Sequence, residues 1–303
     1  MTAETNSARY FALLYASAGE RPALEALFGI EREVLDSLRP GLDHHVAHSR
    51  LQWWREECER AARGGAVHPL TRALIAALGD LQAKSVPPLA GLCGIVDVAI
   101  WDLASATFET RRELEAYCQR WAAAMVEPVV AAAMSAGASK AAASAGAAQA
   151  AASAGATQAA ESAGAAWRNL GAAICEIELL ASVARSAHLG RIRLPLDELE
   201  QARAETHSLA RPPWPETVAS LIRDRLTTLR SEIARNAEGL SSREQQQALR
   251  GLLVWVALSW RTAQRAERAL PDQIQPARFD AVRDAWFAWR IARRAIVGRF
   301  RLN

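Results

Sequence analysis

Lysine is almost missing from this chain. Lys84 and Lys140 are the only two among 303 residues, so the positive charge is nearly all arginine. The formal net charge is only +3, and no basic stripe with interleaved aromatics runs through the body of the chain. Nucleic acid is therefore not an expected partner. The four cysteines, at 58, 93, 118 and 175, form no C-x-x-C pair. That argues against a disulfide framework or a zinc site and for buried free thiols in a reducing cytosol. No uncharged apolar run approaches 18 residues. The most hydrophobic, Leu252 to Trp260, is about half a membrane span. Met1 to Arg9 is polar and lacks a signal-peptide core. The expectation is a cytoplasmic chain that does not cross a bilayer.

Proline and glycine are also few, at 12 and 17, and several of the glycines fall in one repeat. Half of the residues are hydrophobic, mostly Ala, Leu, Val and Ile, and Ala, Leu, Arg and Glu are strong helix formers. Long helices with few turns follow. The 3.6 period predicts a first helix from Arg9, with Tyr10, Leu13, Leu14 and Ser17 on one face. Pro22 opens a second helix to about Leu38, with Leu24, Leu27, Phe28 and Leu35 as its core face. Further helices are expected over about 45–63, from His68-Pro69, from Pro87-Pro88 to 104, and over 109–126. Others are expected over 167–187, from Pro215 to 236, over 241–269 (Ser242 and Gln245 placed as a capping box) and over 279–300.

Residues 131–166 differ. Ser-Ala-Gly-Ala recurs at 135, 144, 153 and 162, a nine-residue period. Nine residues are about 2.5 helical turns, so successive copies face opposite sides. The segment reads as a tandem-duplication insert, helical or mobile, within one helical domain spanning 1–303. A partner-docking role is the alternative.

Several stretches resemble the squalene/phytoene synthase family, the head-to-head prenyltransferases. Arg50-Leu-Gln-Trp-Trp-Arg55 followed by His68-Pro69 resembles R-L-x-W-W…H-P. Asp102-Leu103, Phe108, Thr110, Leu114 and Tyr117-Cys118 match D-L…F-x-T…L-x-x-Y-C. Gly190-Arg-Ile-Arg-Leu-Pro195 resembles G-R-x-Y-L-P, with Arg193 in place of Tyr. Gly171, Ala173 and Cys175 fall in register with G-x-A-x-Q. The order of these stretches over about 10–200 carries the resemblance. It implies an all-α, terpenoid-synthase-type bundle around a central, largely apolar cavity.

In active members of that family two acidic motifs face each other and hold Mg²⁺ on a diphosphate leaving group. Mg²⁺ prefers carboxylate and phosphate oxygens, and ionising an allylic diphosphate needs its developing charge neutralised. The first motif, R-x-x-D-D-x-x-D, falls here on Arg32, Leu35, Asp36 and Arg39. The two positions of the second, D-x-x-x-D, fall on Ser182 and Ser186. Asp36 alone survives of five carboxylates. The pattern resembles a catalytically degenerate branch that includes a mitochondrial complex I assembly factor. No cofactor is then expected, and Mg²⁺ belongs only to the enzymatic alternative, a divergent prenyltransferase using farnesyl or geranylgeranyl diphosphate. A site rebuilt from Asp36 and Glu178 is that alternative's candidate.

The resemblance also implies a ligand pocket with Tyr117, Cys175, Glu178 and Arg191 as candidates, and Arg32, Arg39 and Arg191 as head-group contacts for an isoprenoid or lipid. Asp43, His44 and His48 have metal-ligand spacing, but a helix start is where Asp caps and His is solvated. Of Trp53 and Trp54, one is expected in the core and one half-exposed. The last helix places Val282, Trp286, Trp289, Ala292, Ile296 and Phe300 on one face. Residues 279–303 hold six Arg against two Asp. That helix either docks its Trp face on the core or lies on the inner face of an anionic membrane. Three readings stand: a non-catalytic isoprenoid- or lipid-binding or assembly protein, the divergent prenyltransferase, and a protein that binds a partner through the repeat or the last helix.

Overall fold

A computed structural model describes residues 6–39, 41–79, 89–144, 153–240, 242–273 and 280–302. All regular structure among them is helical. The order is α1 (Ala8–Tyr15), α2 (Arg21–Leu35), α3 (His44–Ala62), α4 (Pro69–Leu78), α5 (Gly94–Leu103), α6 (Arg111–Met125) and α7 (Glu127–Ser144). Then come α8 (Ser153–Ala181), α9 (Val183–His188), α10 (Leu196–Gln201), α11 (Glu216–Glu238), α12 (Arg243–Ala248), α13 (Arg250–Ala269) and α14 (Asp280–Ile296). No helix among the described residues is long and apolar enough to cross a membrane.

The apolar run noted above is the centre of the bundle. Every residue from Gly251 to Ser259 is buried, so α13 is apolar all round in its first half. It packs against α1, α8, α11 and α14. Complete burial of a Leu or Val stabilises by roughly 1.5–3 kcal/mol, so this one segment is a large share of the core. Gly251 lets the first helix approach it: a Cβ there would meet the Ala12 carbonyl oxygen at 2.7 Å.

The expected single helix over 241–269 is two helices. Ser242 does cap, accepting from the Gln245 amide at 3.5 Å, but the chain breaks at Leu249. Glu20, fully buried, supplies what α13 needs to start afresh. It accepts from the Gly251 and Leu252 amides at 3.1 and 3.0 Å and from Ser17 at 2.9 Å. Orphan N–H groups at a helix start are satisfied here by a carboxylate from 231 residues away. Burial raises that carboxyl to about 7, against the opposing pull of the amides.

Two other expectations change. α1 buries Phe11 and Ala12, while Leu14 is exposed. α2 buries Leu24, Leu27 and Phe28 as expected, but it ends at Leu35, which is exposed. The flanks of the nonapeptide repeat continue α7 and begin α8; residues 145–152, its centre, lie outside the described residues.

The R-L-x-W-W…H-P stretch is a corner between α3 and α4. Leu51 and Trp54 are buried, and Trp53 is 41% exposed. Trp54 meets the His68 ring edge-on at 4.8 Å. His68 Nδ1 accepts from the Leu70 amide at 3.2 Å, with Pro69 in the first turn. Buried Glu57 accepts from the Val67 and His68 amides, from Thr71 and from Arg60. The motif therefore holds a turn in place. Asp43 likewise caps α3 through the His45 and Val46 amides, and no His/Cys/Asp/Glu group among the described residues has a metal-holding arrangement.

Candidate functional site

The first motif's positions run from the end of α2 through the turn that follows it, and those of the second lie just past α8, at Ser182 and, in α9, at Ser186. The end of α2 tightens. Asp36–Leu38 is a 3₁₀ turn, in which side chains three apart eclipse. Asp36 and Arg39 accordingly pair with each other at 2.9 Å. Arg32, Leu35 and Arg39 are exposed. The i, i+4 spacing that would align two ligands is lost where the helix changes pitch.

The end of α8 is also altered. The Ser182 hydroxyl donates to the Glu178 and Leu179 carbonyls at 3.0 and 3.1 Å. Such back-bonding turns the hydroxyl onto its own helix and favours a bend, and α8 stops at Ala181. Ser186 accepts, through its carbonyl, from the Leu189 and Arg191 amides in the turn at Gly190 (φ +75°). Arg191 is half-buried in that turn.

Between α2 and α8 lies a group that the motifs do not announce. Arg9, from α1, donates to Glu31 of α2 and, at 2.8 Å, to Glu178 of α8. Glu31 is buried and also accepts from Trp121 Nε1 at 2.9 Å. The guanidinium lies over Phe28, Trp121 and Trp255, 5.4–5.8 Å from their ring centres. Burial works against its charge, but Glu178 and Glu31 outweigh that and raise its pKa. One guanidinium thus joins the two helices that family members would join through metal. The donor set does not fit Mg²⁺: Glu31 and Glu178 are taken up by a cation already, and Leu35, Arg39, Ser182 and Ser186 bring no carboxylate. Asp36 and Glu178, the candidates for a rebuilt site, have different partners.

Of the pocket candidates, Tyr117 and Cys175 are buried, Glu178 is bound to Arg9, and Arg191 stands in the Gly190 turn. Tyr117 is buried and donates to Asp102 at 3.2 Å, and Arg193 donates to the same oxygen at 2.7 Å. Burial, then the Asp102 charge, pushes the Tyr117 hydroxyl well up. Arg193, standing where the family pattern has Tyr, is thus a buried counter-ion. Phe108 packs against both Trp101 and Tyr117, and its carbonyl accepts from Leu196 at 2.8 Å. The matched D-L…F-x-T and G-R-x-Y-L-P stretches therefore meet in one cluster. Cys175 is buried against Cys118, and burial raises its thiol.

Glu176, next in sequence, forms a second buried network. It takes both arms of Arg111 at 2.7 Å and those of Arg225 at 2.5 and 2.7 Å, tying α8 to α6 and α11. Gly171 allows α8 to lie that close: a Cβ would be 2.8 Å from Val126 and 2.9 Å from Ala122. A cleft of about 390 Å³ opens beside this network, lined by Glu115, Gln119, Asn169 and Arg225 among others.

Comparison with known proteins gives one family match. The profile described as squalene/phytoene synthase matches residues 2–286. A dehydrosqualene synthase crystallised with ligand superposes with a TM-score of 0.67 at 14% identity, over 93% of this chain and 90% of that one. Squalene synthase HpnC from Alicyclobacillus acidocaldarius gives 0.59 at 18% identity, over 85% and 87%. At such identity the likeness is one of fold. An ATP phosphoribosyltransferase regulatory subunit of Paramagnetospirillum magneticum is 38% identical over 98 residues. That match takes in 28% of this chain and spans only 23% of that protein's length.

Proposed function

The chain belongs to the squalene/phytoene synthase family, and from that premise we propose that it is a non-catalytic member, acting as an isoprenoid- or lipid-binding or assembly protein. One observation carries the reading: Arg9 occupies the space between α2 and α8 with its charge matched by Glu31 and Glu178. Catalysis by allylic ionisation needs cations placed on the departing diphosphate. Here the cation between α2 and α8 is bound to two carboxylates and stacked on three aromatic rings. The remaining motif carboxylate, Asp36, is tied to Arg39 in an exposed turn.

The test is titration of purified protein with farnesyl diphosphate, with and without Mg²⁺, alongside a diphosphate-release assay. The expected result is no release under either condition. Binding without release identifies the ligand class as isoprenoid. Mg²⁺-dependent release overturns the reading and makes the chain a prenyltransferase.

A further inference from the structure

α14 docks on the core by the face opposite its tryptophans. Asp284, Phe287, Ala288, Ile291, Ala292 and Ala295 are buried against the bundle. Val282, Trp286, Trp289, Ile296 and Val297 are 46–68% exposed. Val282, Trp286, Trp289 and Ile296, at i, i+4, i+7 and i+14, lie along one stripe, and Val297 follows just past the helix end. The helix ends at Ile296; the chain turns at Gly298 (φ +72°), and Phe300 returns to the interior, its amide donating to Gln246 at 2.9 Å. The expected face of Val282 through Phe300 is therefore divided: Ala292 and Phe300 belong to the core, and the rest to the outside.

We infer that this outer face of α14 is a docking surface for an anionic lipid bilayer. Two large indoles and three aliphatic side chains in water are costly unless something covers them. The charge beside them says what. Arg283 and Arg293 are exposed on the outer side of the helix, and Arg299 is exposed in the tail that follows. The only acidic groups of residues 280–302, Asp280 and Asp284, are both bound to Arg265, at 3.6 and 3.0 Å. Among the described residues the stripe therefore carries positive charge, and both carboxylates of its own segment are paired with Arg265. Arg290 and Arg293 stack on Trp286 and Trp289, 4.9 and 5.3 Å from the ring centres. This keeps guanidinium and indole together at one depth, as a phosphate layer over acyl chains requires. The apolar surface continues past Ile296 into a groove of about 420 Å³ that Leu14, itself 49% exposed, also lines. At 17 residues α14 is about 25 Å long, suited to lying in the interface plane.

The experiment is co-sedimentation of the full chain with vesicles of phosphatidylcholine alone and with one-quarter phosphatidylglycerol, at low and high salt. Expected is pelleting with the anionic vesicles only, lost as salt shortens the Debye length. W286A/W289A should abolish it with the melting temperature unchanged, because both side chains lie outside the core. R283Q/R293Q should weaken it about fivefold per charge removed. Three results overturn the assignment: no pelleting at low salt, pelleting unaffected by W286A/W289A, or a concentration-dependent dimer that the Trp variant dissolves while vesicles bind nothing.

Discussion

Arg9 donates to Glu178 at 2.8 Å across 169 positions of sequence, so the first helix and the eighth meet at one guanidinium. Glu31 completes the arrangement from α2. Glu31 is buried while Arg9 and Glu178 are half-buried, so loss of the cation bears most on Glu31.

Arg9→Met removes the charge and leaves Glu31 buried without a counter-ion. Breaking a buried pair in this way costs roughly 3–5 kcal/mol. Chemical denaturation should show the midpoint falling accordingly. Arg9→Lys should recover part of the loss, since it restores charge but not the two-armed geometry.

Loss of Arg9 also bears on metal. With Arg9→Ala, Glu31 and Glu178 become two uncompensated carboxylates facing one space. Millimolar Mg²⁺ or Ca²⁺ should then raise the melting temperature of the variant and leave the parent unchanged, because divalent cations seek such oxygen ligands. Equal shifts in both proteins would contradict the placement of Arg9.

Restoring aspartates is expected to fail. L35D/R39D/S182D/S186D supplies the carboxylates, but Asp36 lies in a 3₁₀ turn and α8 has stopped at Ala181. Diphosphate release from farnesyl diphosphate should stay at background while Arg9 is in place.

Arg193→Tyr, which writes the family's residue back, should destabilise. Asp102 would lose its buried cation, again a cost of roughly 3–5 kcal/mol, and Tyr117→Phe should cost about 1 kcal/mol. Urea midpoints of the two variants test the order.

Glu20 sets a pH dependence. Its carboxyl stands near 7 in the folded protein, above its ordinary 4.5. A raised carboxyl contributes stability that is full below about pH 4.5 and is lost as the pH climbs through 7. Unfolding free energy should fall across that window, and Glu20→Gln should flatten the fall.

How much of this was legible in the sequence differs by element. Helices bounded by local signals were readable: Pro22, Gly64-Gly65 and His68-Pro69 delimit α2, α3 and α4 nearly where they stand. The break at Leu249 was not, because its cause, Glu20, lies 231 residues before the Gly251 amide that it satisfies. Arg9 was missed for the same reason: on a polar N-terminus it reads as a solvated charge. Glu31 did leave a signal. Leu24, Leu27, Phe28 and Glu31 follow i, i+3, i+4, i+7, so a carboxylate stands on the apolar stripe of α2. A charge in that place needs a buried partner. The acidic motif falls instead on Asp36, four residues after Arg32, where the chain has already left the α-helix.

The capping of α13 by Glu20 has a consequence for how the chain is made. Synthesis runs from the N-terminus, and α1 and α2 leave the ribosome more than 200 residues before the amides that Glu20 must satisfy. Until α13 arrives, Phe11, Ala12 and Glu20 have no interior to enter. Closure of the bundle is thereby deferred until α13 has been made, and α1 is among the last helices to find its place.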